Sequence, residues 1–333
     1  MRVALLTHPS ALEHDAGWGH PERPERIGAV VNGVHDSGLR VVSLEPTAAD
    51  FEMLTAVHDE RYVAAIERFC LAGGGSLDPD TFAVPASWDA ALRAAGAGHV
   101  ATTALRAGDA DVAFVAMRPP GHHALASRAM GFCLFNNIAV TAAGLTARGE
   151  RVAVVDWDVH HGNGTEDMFF SDPRVLYVSW HESPFYPGTG TTPGASGAEG
   201  TTINFPFPMG TDGGPYAWTM AAVVAPVLRR FAPDWLLVSA GYDAHRADPL
   251  ASIRLGSEDY AVVAAALAAA VPPSRTVFFL EGGYDLQALR SSTAATLRGT
   301  AAPAALEPES PRSGPGWDAA RRAALVTARV WDL

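Results

Sequence analysis

The sequence predicts a single α/β domain in which helices cover both faces of a mostly parallel central sheet. Short apolar runs of strand type alternate with longer stretches of helix type, as in successive βαβ units. No Pro- or Ser-rich linker divides the chain before about residue 300. Strands are predicted over 2–7, 111–117, 151–157, 174–180, 201–205, 234–240 and 275–281. Helices are predicted over 24–36, 59–71, 87–106, 134–147, 212–231, 257–270 and 285–298.

Individual elements carry signals at their ends. Asp59 precedes the apolar pattern of 59–71 and is a typical helix cap, while the glycines at 73–75 stop that helix. Residues 301–316 are rich in Pro, Ala and Ser, which predicts a loose connection to a short C-terminal helix. We therefore expect a main domain over 1–300 and an extension over 301–333 that packs on it or trails from it.

The composition of the 333-residue chain excludes several classes of protein. Its 36 acidic residues outnumber 24 basic ones, and this net charge of −12 argues against direct binding to nucleic acid but suits a cationic substrate. No apolar stretch could span a bilayer and no signal-peptide pattern is present, so we expect a cytoplasmic protein without membrane contacts. Two cysteines, Cys70 and Cys133, are too few for a disulfide framework or a Cys-rich metal site.

Reactive residues gather directly after the predicted strands. Ligands of parallel α/β sheets bind in the crevice beyond the carboxyl ends of the strands, so residues at those ends are expected to meet in one site. The segments concerned are 118–123, 158–160, 181–200, 241–248 and 282–284. Polar groups at five successive strand ends therefore predict a binding or catalytic site.

Asp156, Asp158 and His160 form the most informative group. Residues two apart in a strand point to the same face, so these three side chains are expected to converge if the strand geometry persists. Carboxylate and imidazole groups are donors for a divalent transition metal. The alternative is a pair of capping aspartates beside a hydrogen-bonded histidine.

A third metal ligand is expected from another strand end. Asp248 lies just past the strand 234–240 and is a natural partner for the first group. Asp243 and His245 are rival candidates, and an Asp before Pro is often only a turn former.

His122 and His123 follow Pro119-Pro-Gly121, a segment that cannot be helical. Adjacent histidines in a rigid turn can act as general acid and base near neutral pH. They could instead be two metal ligands, or histidines of a surface loop.

Aromatic residues also occur in the loops at this edge. Glu281-Gly-Gly-Tyr284 could present a phenol that polarises a carbonyl or stabilises an oxyanion, or a tyrosine that merely packs over a loop. Gly131-Phe132 and Phe185-Tyr186 could wall a narrow channel for a long aliphatic group, or fill the loops against the core.

With these residues in place, the chain resembles the histone deacetylase and acetylpolyamine amidohydrolase superfamily, in its class II and bacterial branch. The matching motifs occur in the family's order and cover most of residues 1–300. They are HPERPER (20–26), RPPGHHA (118–124), GFCLFNN (131–137), DWDVHHGNGT (156–165), SAGYDAHRADPL (239–250) and EGGYD (281–285). The resemblance implies a single-domain arginase-deacetylase fold and a metal-dependent amidohydrolase that acts on linear amide bonds.

The resemblance also implies bound metals. A catalytic Zn²⁺, or Fe²⁺ in some relatives, would be held by Asp158, His160 and Asp248. Structural K⁺ would occupy two further sites. The first would use oxygens around Asp156, Asp158, His160, Ser179 and Trp180, and the second would lie near Phe169, Asp172 and Val175.

Catalytic roles follow from the same resemblance. His122 and His123 would be the acid/base pair, with Asp156 behind His122 and Asn163 behind His123. Tyr284 would hydrogen-bond the substrate carbonyl. The expected reaction is attack of a metal-activated water on an acetyl amide, which needs a nucleophile, a polarised carbonyl and a proton for the leaving amine.

Substrate contacts are implied as well. Gly131, Phe132 and Tyr186 match channel walls, and Asp80 matches an acidic residue that grips the substrate backbone. Leu255 stands where polyamine-preferring relatives can carry an acidic gatekeeper. The expected partners are acetyl-lysine peptides or proteins, or small N-acetylated amines, and hydroxamate-type inhibitors are expected to bind.

Three alternatives remain open. An acetylpolyamine amidohydrolase is the nearest, because Glu13, Asp15, Glu22 and Glu25 could attract a cation. A ureohydrolase with two manganese ions would need a further Asp where this chain has Gly162. A non-catalytic module that binds acetylated ligands is the third, although every expected catalytic position is filled.

Overall fold

The computed structural model describes residues 1–308 and 310–333. Its strands are β1 (Arg2–Leu6), β2 (Arg40–Leu44), β3 (Gly75–Ser76), β4 (Phe82–Ala83), β5 (Val112–Val115), β6 (Val152–Asp156), β7 (Val175–Glu182), β8 (Gly194–Ser196), β9 (Thr202–Phe207), β10 (Trp235–Ala240) and β11 (Thr276–Leu280). Its α-helices are α1 (Ser10–Glu13), α2 (Glu25–Asp36), α3 (Phe51–Thr55), α4 (Glu60–Leu71), α5 (Ser87–Ala107), α6 (Asn137–Thr146), α7 (Asn163–Phe169), α8 (Gly213–Thr219), α9 (Ala225–Phe231), α10 (Ser257–Ala270), α11 (Leu286–Thr300) and α12 (Trp317–Trp331). A π-helical segment, Met220–Val224, joins α8 to α9.

Nine strands form one central sheet in the order β2-β1-β5-β11-β10-β6-β7-β9-β8. Every neighbouring pair is parallel except β8 with β9, and β3 pairs with β4 in a separate antiparallel hairpin. Helices link the consecutive parallel strands except β7 and β9, which are joined through β8, so the predicted α/β class with a mostly parallel sheet is confirmed.

All seven predicted strands and all seven predicted helices are present in the described residues, and the differences lie in short or marginal elements. The edge strand β2 was missed because it is only partly buried, so its residues do not form a continuous apolar run. The helix α7 was missed because Gly164 and Thr165, which are weak helix formers, occupy its first turn.

The central strands β5, β6, β10 and β11 are buried along their whole length. Strands that are covered on both faces read as uninterrupted apolar runs, which is why the sequence reveals them. Their ends lie side by side, since Asp156 pairs in register with both Ser179 and Ser239. The turns that follow these strands therefore meet at one edge of the sheet.

A buried ion cluster ties the N-terminal segment to this edge. Arg118, which follows β5, donates hydrogen bonds to the carboxylate of Glu22 and to the carbonyl groups of Ala11 and His14. Arg26 binds the same carboxylate at 2.8 Å, and all three charged side chains are buried. Glu22 is thus engaged within the protein and is not free to attract a cationic substrate.

The C-terminal helix α12 packs against the edge of the sheet formed by β8 and β9. The indole Nε1 of Trp331 donates to the carbonyl of Gly200 at 3.0 Å, and a Cβ on Gly194 would lie 2.7 Å from Val326. Across residues 1–308 and 310–333, no helix combines the length and apolarity needed to cross a bilayer.

We expect Glu22→Gln to lower the free energy of unfolding by about 3–5 kcal/mol, because it leaves two buried guanidinium groups without a full negative partner. Burial opposes ionisation of Glu22, but the charges of Arg118 and Arg26 and a hydrogen bond to His14 hold its pKa well below the usual range. The stability that ionised Glu22 contributes is therefore fully present above the pKa of the carboxyl group in the unfolded chain, about 4.3. It is lost as the pH falls through the lower pKa of the folded protein.

Urea unfolding at neutral and acidic pH measures this effect. The matched control is Glu13→Gln, which removes an exposed carboxylate from the same segment and should change stability by less than about 0.5 kcal/mol. Equal stabilities of the two variants would contradict the prediction.

Candidate active site

The turn after β6 brings two predicted metal ligands together. Asp158 and His160 follow Asp156, the last residue of that strand. Nδ1 of His160 lies 3.1 Å from Oδ1 of Asp158, and Asp158 is fully buried. The Asp156 carboxylate instead lies against the ring of His122 and the backbone N–H of Asp158, so the convergence expected of the three side chains holds for two of them.

The third carboxylate at this point is Asp243. Its Oδ2 atom lies 3.1 Å from Nδ1 of His160, and the ligand atoms of Asp158, His160 and Asp243 all lie within 4.8 Å of one another. The Oδ1 atom of Asp243 accepts a hydrogen bond from the backbone N–H of Val159 at 2.9 Å, which fixes the carboxylate beside the turn after β6.

The assignment of Asp248 as a metal ligand stays a prediction. Asp248 lies beside the group, because burial and the charge of Asp243 raise its pKa to about 7. Its carboxylate accepts hydrogen bonds from the backbone N–H groups of Tyr284, at 2.7 Å, and Leu250, at 3.0 Å. Asp243 lies close to the end of β10, and the turn that follows places Asp248 against the loop of Tyr284, where the N–H of Asp248 donates to the carbonyl of His245 at 2.8 Å. Asp248 therefore holds that loop in place.

The group Asp158, His160 and Asp243 fits a divalent transition metal in its chemistry and spacing. Ligands of a tetrahedral zinc ion with bonds of about 2.0–2.1 Å lie about 3.3 Å apart, close to the 3.1 Å between His160 and each carboxylate. Gly282 leaves room for the group, because a Cβ there would lie 2.1 Å from Oδ2 of Asp243.

The electrostatics of this group also call for a cation. Burial and the charge of Asp158 raise the pKa of Asp243. Burial opposes the charging of His160, yet its hydrogen bonds to the two carboxylates raise its pKa to about 10. The space between the carboxylates is therefore one where a positive charge, a proton or a metal ion, is strongly stabilised.

The two adjacent histidines have different partners. Nδ1 of His122 lies 2.9 Å from Oδ2 of Asp156, and Nδ1 of His123 lies 2.8 Å from Oδ1 of Asn163. Nδ2 of Asn163 faces the carbonyl of His123, so the amide oxygen is the atom that meets the imidazole. His123 thus donates from Nδ1 when neutral, which leaves the lone pair of Nε2 available.

These partners separate the two protonation states. Burial opposes the charging of both rings, but the charges of Asp156, Asp158 and Glu281 raise the pKa of His122 to about 10. Burial and the nearby charge of His122 keep the pKa of His123 well below its usual range. A charged imidazole and a neutral one therefore lie side by side, with ring centroids 4.1 Å apart.

Tyr284 is buried and fixed from two sides. Its backbone N–H is held by Asp248, and its ring lies edge-on to Phe132 with centroids 5.9 Å apart. The guanidinium of Arg26 lies 5.0 Å from the centre of the same ring and donates to the carbonyl of Gly283 at 2.7 Å.

These groups open onto a cavity of about 230 Å³. It is lined by Asp80, Pro120, His122, His123, Gly131, Phe132, His160, Tyr186, Leu250, Gly282 and Tyr284. The structure thus brings the predicted acid/base pair, the tyrosine and the channel walls to one place. Leu255 is an exception: it is buried in the core away from the cavity, and the aliphatic residue in the cavity wall is Leu250.

The loop after β7 supplies the aromatic wall. Phe185 stacks on the ring of His160 with centroids 5.2 Å apart, and Tyr186 lies edge-on to His123. A hydrogen bond holds the loop against β7, because the carbonyl of Gly190 accepts from Nε2 of His181 at 3.0 Å. A Cβ on Gly190 would lie 2.5 Å from the His161 ring, so only glycine fits there.

The residues expected around potassium lie in two separate places. Ser179 pairs with Asp156 across β6 and β7, and its hydroxyl is 2.9 Å from Nδ1 of His181. Phe169, Asp172 and Val175 form the turn from α7 to β7, where the Asp172 carboxylate binds Arg174. The role of these residues and of Trp180 in binding potassium stays a prediction.

Comparisons with known proteins agree with this geometry. The sequence model of the histone deacetylase domain matches residues 20–300. A probable deacetylase of Archaeoglobus fulgidus is 38% identical over 297 residues, covering 86% of this chain and 82% of the relative. The histone deacetylase-like amidohydrolase of Pseudomonas aeruginosa is 39% identical, covering 82% and 75%.

A solved structure extends the agreement to three dimensions. The crystal structure of the HDA15 HD domain matches with a TM-score of 0.89 at 30% sequence identity, covering 99% of this chain and 97% of that one. The chain belongs to the histone deacetylase family.

Proposed function

We propose that this protein is a zinc-dependent deacetylase that hydrolyses the acetyl amide of N-acetyl-lysine in peptides or proteins, or of a small N-acetylated amine. One observation carries the proposal: the metal-ligand group Asp158, His160 and Asp243 adjoins a neutral imidazole, His123, in a cavity with aromatic walls. Fe²⁺ is the alternative catalytic metal, and K⁺ is proposed as a structural ion.

Each part of the amide hydrolysis is assigned to one group of the site. When bound, a zinc ion supplies Lewis-acid activation of water and of the substrate carbonyl. His123 takes the proton of the attacking water at Nε2 and returns it to the leaving amine, while Asn163 fixes its tautomer. His122, held charged by Asp156, adds positive charge nearby. The phenol of Tyr284 donates to the developing oxyanion.

The cavity wall favours a neutral aliphatic chain in its narrow part. Phe132, Tyr186 and Leu250 supply apolar surface, and the only carboxylate in the lining is Asp80, which is half-buried. Because the side chain at the wall is Leu250 and not an acid, a substrate such as the methylene chain of acetyl-lysine is the best fit.

A binuclear ureohydrolase site is disfavoured at one position. A side chain at residue 162 would meet Oδ2 of Asp156 and the hydroxyl of Tyr177, because a Cβ there would lie 2.2 Å and 2.6 Å from those atoms. Gly162 therefore cannot be exchanged for the further aspartate that a second metal ion would need.

The first test is kcat/KM of zinc-loaded protein on an acetyl-lysine peptide and on N-acetylputrescine, with a hydroxamate as inhibitor. We expect the peptide to be preferred and the activity to be blocked. Released acetate reports only on added substrate, because the chain contains no lysine. Inactivity of metal-loaded protein on both substrates would defeat the proposal.

Tyr284→Phe should lower kcat about 10²–10³-fold if the phenol of Tyr284 stabilises the oxyanion.

A matched set of variants tests the metal ligands. Asp158→Asn should abolish stoichiometric zinc binding, and the same change at the third ligand, Asp248 or its rival Asp243, should do so too. Elemental analysis of the three purified proteins measures the zinc content. Stoichiometric zinc in the Asp158 variant, or in both of the others, would contradict the assignment.

The identity of residue 163 should set the pH dependence. Asn163→Asp places a carboxylate beside Nδ1 of His123, and this negative charge raises the pKa of the imidazole. The acidic limb of the kcat/KM profile should therefore move to higher pH by about one unit or more. Asn32→Asp adds the same charge on the exposed face of α2 and serves as the control. An unshifted limb in the first variant would exclude His123 as the base.

A further inference from the structure

A second depression lies on the surface next to the cavity. This depression, the Trp18 groove, has a volume of about 690 Å³ and is formed by residues of the segment 15–25 together with Pro249 and Tyr284. None of the chemistry proposed above uses it.

The groove and the cavity share a wall. Tyr284 lines both, and Pro249 of the groove precedes Leu250 of the cavity. The ring of His20, in the groove, lies 4.8 Å from that of Phe132, and its Nε2 is 3.1 Å from the carbonyl oxygen of Asp80. A substrate held in the cavity therefore has its neighbouring atoms at the groove.

Trp18 is fully exposed, whereas none of the other tryptophans is. It lies at the tip of a turn between Gly17, with φ 98°, and Gly19, with φ 83°. The turn is ordered by local contacts, since the N–H of Gly17 donates to the Asp15 carboxylate at 2.9 Å and the N–H of His20 donates to the carbonyl of Gly17. The indole faces are thus available to a ligand.

The charge of the groove favours a cation. Asp15 and Glu25 are exposed in its lining against one guanidinium, that of Arg23. None of the ion pairs formed among residues 1–308 and 310–333 involves these three side chains. An indole face beside exposed carboxylates that form no ion pair is a setting in which a guanidinium or ammonium group binds by cation–π and ionic contact.

We propose that the Trp18 groove binds the side chain of a basic residue next to the acetyl-lysine of a peptide substrate, with Trp18 as the specificity-determining residue. The inference rests on the proposed deacetylase function. When the acetyl-lysine side chain of a peptide occupies the cavity, the peptide backbone extends to both sides of the cavity entrance. The side chain of an adjacent residue can then reach the groove beside the cavity. A linear acetylated amine has no such side chain, because its atoms continue straight out of the cavity.

The test compares kcat/KM on four substrates. Three are peptides of equal length, with a neutral residue on both sides of the acetyl-lysine, with Arg before it, or with Arg after it. The fourth is acetyl-lysine blocked at both termini. We expect one Arg peptide to exceed the neutral peptide by roughly fivefold, mainly through KM.

Variants assign that preference to the groove. Trp18→Ala should remove it while leaving the blocked acetyl-lysine unchanged, Trp18→Phe should keep part of it, and Asp15→Asn with Glu25→Gln should reduce it. Phe51→Ala, which removes another exposed aromatic ring, is the control. Since Trp18 is exposed, its replacement is not expected to unfold the protein.

The outcomes distinguish a failure of the proposed deacetylase function from a failure of the proposed role of the Trp18 groove. No turnover of the blocked acetyl-lysine by metal-loaded protein would overturn the proposed function itself. Turnover without a preference for Arg, or a Trp18→Ala effect of equal size on all four substrates, would overturn only the groove. N-acetylputrescine is assayed in parallel, and a Trp18→Ala effect confined to it would also overturn the groove proposal, in favour of a polyamine.

Discussion

The burial of four carboxylates at the ends of β6, β10 and β11 is the constraint around which the site is organised. Asp156, Asp158, Asp243 and Glu281 are all fully buried. Ionised groups are costly to remove from water unless positive charge and hydrogen bonds compensate them. Here backbone N–H groups and imidazoles do so, and burial still raises the pKa of Glu281 to about 7. A metal cation would complete this balance.

Much of the fold and part of the site could be predicted from the sequence. Buried parallel strands are continuous apolar runs, so the central strands and the residues directly after them, such as Asp158 and His160, were identified. Residues further along a turn were harder to assign. Asp243 and Asp248 are both close to the end of β10 in sequence, and the apolar pattern does not say which carboxylate reaches His160 and which binds the loop of Tyr284. The same uncertainty led to Leu255 in place of Leu250.

The adjacent histidines illustrate how one neighbour determines function. His122 and His123 share the same turn and similar burial, but one meets a carboxylate and the other an amide. A charged partner stabilises the imidazolium, whereas an amide orients the ring without favouring its protonation. The difference is visible in the sequence only as Asp156 and Asn163, and its meaning depends on the turn that brings each to its histidine.

The packing of α12 on β8 and β9 bears on the self-association of shortened forms. The family match ends at residue 300, but this helix covers the edge of the sheet through Val326 and Trp331. An uncovered strand edge is a template for pairing with other chains. A polypeptide ending at residue 300 would keep every residue of the cavity and yet be prone to aggregation.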